Sequence, residues 1–146
     1  MNWKLKFIYF PIVTVLVGSF LLIGFYDVNI GFDIRSFAFF MGGASGELAG
    51  SDANPLVIIT IDINKILGFG RYGVAKETIK VFDASGSEVH FTVSSLPSEL
   101  TGRNSLIIFA YPNHDGIYGE WNVKIEIFDM DTGNIVNVMI LSFNLR

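Results

Sequence analysis

Two hydrophobic patterns of different period divide the chain. Residues 7–26 (FIYFPIVTVLVGSFLLIGFY) contain no charged side chain, and no face of that run is polar, which marks a segment surrounded by lipid and not a surface helix. Coiled as an α-helix it would be about 30 Å long, the thickness of a bilayer's hydrocarbon core. From Leu56 onward the pattern alternates. LVIITIDINKI (residues 56–66) sets Val57, Ile59, Ile61 and Ile63 against Thr60, Asp62 and Asn64. EWNVKIEIF (residues 120–128) sets Trp121, Val123, Ile125 and Ile127 against Asn122, Lys124 and Glu126. A period of two rich in β-branched residues predicts half-buried strands. Shorter strands are predicted over 78–82, with Ile79 and Val81 inward, over 89–93 and over 106–110, and a longer one over 135–145. The turn Asp83-Ala84-Ser85-Gly86, read as a hairpin, the loop 94–104 with Pro97 and Gly102, and the turn 129–134 separate them. Six or seven strands with no later helical period predict an all-β antiparallel sandwich behind one N-terminal transmembrane helix.

The flanks of the charge-free run set its topology. Phe7 and Phe20 belong to its apolar surface, while Tyr9 and Tyr26 lie near its two ends, where aromatic belts meet the headgroups. Pro11 sits in the first turn, where a missing amide donor costs least. Lys4 and Lys6 precede the run, so the positive-inside bias places residues 1–6 in the cytoplasm and the remainder of the chain outside the cell membrane. A cleaved signal peptide is the competing reading. It calls for a shorter apolar core and a small-residue cleavage site, whereas this run continues into Tyr26-Asp27-Val28-Asn29.

Residues 27–41 form a membrane-proximal segment of two readings. Val28, Ile30, Phe32 and Ile34 alternate as in a strand, yet Ile30, Ile34, Phe37 and Met41 would line one helical face. A first strand is the reading carried forward. Residues 42–55 (GGASGELAGSDANP) have the composition of a flexible linker or long loop, so the sandwich domain is expected to span 56–146.

The stretch Asp115-Gly116-Ile117-Tyr118-Gly119-Glu120-Trp121-Asn122-Val123-Lys124-Ile125, with Asp129 and Thr132-Gly133-Asn134 behind it, resembles the final hairpin of immunoglobulin-like or macroglobulin-like sandwich modules. The resemblance implies a sandwich with a binding or structural habit and brings no catalytic residue. The layout of helix followed by sandwich is also similar to that of stator-type accessory proteins of archaeal motility machines.

Composition narrows the function. Hydrophobic residues make up 51% of the chain and charged ones 16%, with a net charge of −4. A mildly acidic chain lacks the basic surface that nucleic acid requires. With no cysteine, disulfides, thiolate catalysis and thiolate-bound metals are excluded.

His90 and His114 are isolated from each other in sequence and read as ordinary residues rather than metal ligands. Asp129, Asp131 and Gly133 are spaced like part of a calcium loop, but Ile140 stands where the closing glutamate belongs, so a hairpin turn is expected there. Gly68-Phe69-Gly70-Arg71-Tyr72-Gly73 lacks the helix of a dinucleotide fingerprint and reads as a mobile loop. No Gly-x-Ser-x-Gly elbow is present.

The sequence therefore predicts a protein with no enzymatic activity and no cofactor. Its expected partners are membrane lipid and other protein subunits. The candidate contact residues are Phe69, Arg71, Tyr72, His114 and Tyr118, the aromatic and cationic types enriched in binding hot spots. An accessory or structural subunit of a membrane or envelope complex is the leading reading. A pilin-like filament subunit is an alternative, although no processing site follows Lys6. A glycan-binding module, with Tyr72, Tyr111, Tyr118 and Trp121 as stacking faces, is another.

Overall fold

The computed structural model describes residues 37–146. The run 7–26 with Phe7, Tyr9, Phe20 and Tyr26, the topology residues Lys4 and Lys6, and residues 27–36 lie outside the described residues. Among the described residues no helix is long and apolar enough to cross a membrane.

The described residues form eight strands: β1 (Ala38–Leu48), β2 (Val57–Gly68), β3 (Tyr72–Val74), β4 (Lys80–Phe82), β5 (His90–Ser95), β6 (Arg103–Tyr111), β7 (Gly119–Asp129) and β8 (Ile135–Leu145). Among the described residues, helix is confined to single 3-10 turns at Lys76–Thr78 and His114–Gly116. One sheet has the order β1-β2-β6-β5. In the other, β7 is central, with β8 along one side and β3 and β4 in tandem along the other. Every ladder among the described residues is antiparallel.

Alternation builds the core. Val57, Ile59, Ile61 and Ile63 of β2 are fully buried, as are Trp121, Val123, Ile125 and Ile127 of β7. Register then places like beside like, with Ile59 opposite Ile108 and Ile61 opposite Leu106. Trp121 lies opposite Phe143 with the rings stacked at 5.8 Å, and its indole Nε1–H donates to the Ile117 carbonyl at 2.7 Å. That hydrogen bond removes the penalty of burying the indole's one polar group.

The stretch expected as a linker is the clearest departure. Gly42 to Leu48 continues β1, paired residue for residue with β2 from Gly42↔Ile63 to Leu48↔Val57. Only residues 49–56 form the connecting loop. The small residues are a packing requirement. A Cβ on Gly42 would stand 2.7 Å from the Asp62 carbonyl oxygen and 2.8 Å from Met139 Cε, and one on Gly46 would run into the Phe143 ring. β1 thus approaches β8 closely, and the bulk on that side of the core comes from β8. Among the described residues the first strand begins at Ala38, and the alternating positions 28–34 lie outside them.

The turn after β4 also differs in outcome. Asp83 Oδ1 accepts from the backbone N–H groups of Ser85 and Ser87 and from the Ser85 hydroxyl, and Gly86 takes a φ of 83°, so the turn forms as read. Its two arms, however, meet only at Phe82↔Glu88 before β5 leaves for the other sheet and pairs with β6. A turn is fixed by local chemistry, whereas the sheet that the next strand joins depends on which edges are free.

Candidate functional site

Strand direction gives the body two ends. At one end β1 begins and β2 finishes (Ala38↔Gly68), Tyr72 pairs with Asp129, and Phe128 pairs with Ile135. At the other, Leu48 pairs with Val57, Val57 with Ala110, and Gly119 with Leu145. The candidate contact residues divide between these ends and do not form one site. Phe69, Arg71 and Tyr72 lie at the first, His114 and Tyr118 at the second. The length of β2 separates the two groups, roughly 35 Å at the usual strand rise.

Tyr72 is no surface residue. It is fully buried in β3, its ring edge-on to Phe40 at 5.5 Å and 87°, with Lys65 Nζ 5.9 Å from the ring centre. Its hydroxyl accepts the Gly70 N–H at 2.9 Å. A Cβ on Gly68 would meet the same ring at 2.6 Å, so that glycine lets the chain fold over the tyrosine. The spaced glycines read as a mobile loop therefore serve a plug that closes this end of the core. Phe69 remains 61% exposed. Arg71 lies 3.4 Å from Glu99 and 3.9 Å from Asp131, exposed pairs that contribute little stability.

At the second end, Tyr118 is exposed and His114 borders a cleft of about 590 Å³ shared with Gly50, Pro55, Leu56, Tyr111 and Pro112. His90 stacks on Tyr111, a residue of that cleft, across the β5–β6 ladder at 6.0 Å. Among the described residues no three side chains of His, Asp or Glu come together as a metal site would need. The Asp129 carboxylate is occupied by its own turn, Oδ1 accepting the N–H groups of Asp131 and Thr132, while the buried Oδ2 has no partner. The set of four stacking aromatics also fails, because Tyr72 and Trp121 are core residues and only Tyr111 and Tyr118 reach the surface.

Two apolar surfaces remain. On the outward face of β8, Ile140 is 69% exposed, and Ile135 and Val138 are exposed with it. Val138 lies opposite Glu126 and Ile140 opposite Lys124, so an ion pair borders the apolar stripe on β7. The second surface surrounds the start of β1, where Phe37, Phe39, Met41, Ile66, Leu67 and Phe69 are all exposed. Sequence reasoning singled out only Phe69 of that group as a contact residue. The missed signal is the pair Ile66-Leu67, which breaks the alternation of β2 with two adjacent apolar residues that both face outward.

No family model matches this chain, and no curated protein matches it. Among solved structures, one similar chain is self-complemented MyfA, the major subunit of Myf fimbriae from Yersinia enterocolitica, in complex with galactose. It shares 10% identity, with 73% of this chain and 99% of that chain covered and a TM-score of 0.41. That likeness is too loose to bear on function.

Proposed function

We propose that the chain is a non-catalytic, membrane-anchored, extracytoplasmic sandwich protein of immunoglobulin-like type, and that it serves as an accessory or structural subunit of a membrane or cell-envelope assembly. One observation carries the reading. β8 holds no charged residue and no proline from Ile135 to Leu145, and its outward side chains Ile135, Val138 and Ile140 stand in solvent. Contiguous apolar surface with a charged rim is the composition of a protein contact. The charge-free run 7–26 supplies the anchor and Lys4 and Lys6 the cytoplasmic N-terminus. Lipid is then the partner of the run, and another protein subunit the partner of β8.

Affinity purification of the tagged full chain from detergent, followed by mass spectrometry, tests this. A stoichiometric partner lost in Ile140→Lys, with the fold retained, is the expected result. A monodisperse monomer that purifies alone counts against it.

A pilin-like filament subunit is the second reading. An edge strand without a charged residue or proline to guard it, its one register shift lying at its start beside Ile127 and Phe128, suits pairing with a second copy. Intact mass separates the two, because loss of the first several residues in the mature chain favours the filament.

A further inference from the structure

The two ends of the body are chemically unlike. The second end carries polar turns, Ser51, Asp52 and Asn54 between β1 and β2, Ser85 to Glu88 after β4, and Asn113 to Asp115 after β6, with Tyr111 and Tyr118 as its exposed aromatics. The first end, besides the charges of Arg71, Glu99 and Asp131, carries a cluster of large apolar side chains. At the first end Phe39 faces Leu67 across the β1–β2 ladder, with exposures of 55% and 52%. Met41 follows Phe39 on the same side of β1. Phe37 and Phe69 extend the surface just beyond the last pair, Ala38↔Gly68. Scattered apolar side chains need no explanation, but a cluster of large ones around one chain entry does.

Chain length outside the structure indicates what covers it. Residues 27–36 separate the charge-free run from Phe37. Fully extended they span at most about 35 Å. Val28, Ile30, Phe32 and Ile34 within them are apolar. So short a tether sets a high effective concentration of the apolar end at the bilayer, and weak insertion suffices to populate the bound state.

We propose that this end of the sandwich, through Phe39, Leu67 and Phe69, inserts into the outer headgroup region of the membrane and fixes the body with its polar end pointing away. This rests on the reading of residues 7–26 as a retained anchor. The insertion also explains Tyr72. A fully buried plug behind the rim keeps the core closed while the rim side chains are free to contact lipid.

The absence of cysteine allows the test to be made on the full chain in phosphatidylcholine vesicles. Leu67→Cys, Phe69→Cys and, at the polar end, Asp52→Cys each receive a nitroxide label. All three positions are exposed, so the fold tolerates the change. The expected result is that labels at 67 and 69 lie about 5–10 Å below the headgroup surface, with collision by a water-soluble nickel reagent reduced several-fold relative to the label at 52. Equal reagent access at all three positions in a chain that resists carbonate extraction overturns the insertion and leaves the anchor standing. Release by carbonate overturns both. Spin–spin broadening at 67 and 69 that persists in detergent assigns the surface to a second copy and overturns the lipid assignment.

Discussion

Strands β1 and β7 are each 11 residues long, and they are held in the sandwich by opposite means. β7 contributes volume. Trp121, Val123, Ile125 and Ile127 fill the space between the sheets, and neighbours pair with it on both sides. β1 contributes room. Its inward positions Gly42, Ala44 and Gly46 bury little of their own, and Met139, Leu141 and Phe143 of β8 occupy the space they leave. A strand that brings bulk can be read from its own residues. One that makes space can be recognised only from the partner that fills it.

The comparison can be broken in four ways, each read by urea denaturation of the detergent-solubilised chain. Trp121→Ala should have the largest effect, about 3–5 kcal/mol of destabilisation, because it empties a buried site and strands the Ile117 carbonyl. A loss under about 1 kcal/mol would mean that β7 is not the bulk of the core.

Gly46→Leu should follow, costing about 1–3 kcal/mol, since the added side chain meets the Phe143 ring. If β1 were a linker the same change would be silent.

Asp129→Ala should cost about 1–2 kcal/mol for the two turn hydrogen bonds it removes. Asp129→Asn keeps the accepting oxygen but buries an amide where Oδ2 has no partner, so it should cost less than Asp129→Ala without being neutral.

Gly43→Ala is the smallest and sharpens the contrast with Gly46. Nothing lies within 4 Å of a Cβ there, and the position is on the open face of β1. A gain of about 0.4–1 kcal/mol is expected from the less flexible unfolded chain. Destabilisation would show that both faces of β1 are covered.

How far the site was legible follows from the same contrast. Tyr72 reads as surface because glycines surround it and its strand is three residues long, too short for alternation to show. The apolar outer side of β8 is visible in the sequence, because Ile135 to Leu145 carries apolar residues on both sides of its alternation. The rim at Phe39, Leu67 and Phe69 is not visible. Phe39 and Leu67 are far apart in the chain, and only the β1–β2 register makes them neighbours.

By itself the sequence determined the strands whose own side chains alternate, the turns capped by Asp83 and Asp129, and the all-β class, because each follows from forces acting between residues close in the chain. The tertiary structure alone decided that a glycine-rich stretch is a strand, that β5 crosses to the other sheet, that Tyr72 is core, and that the five contact candidates lie at two ends. Those outcomes depend on which surfaces distant segments leave free, and excluded volume between residues far apart in sequence has no local signature.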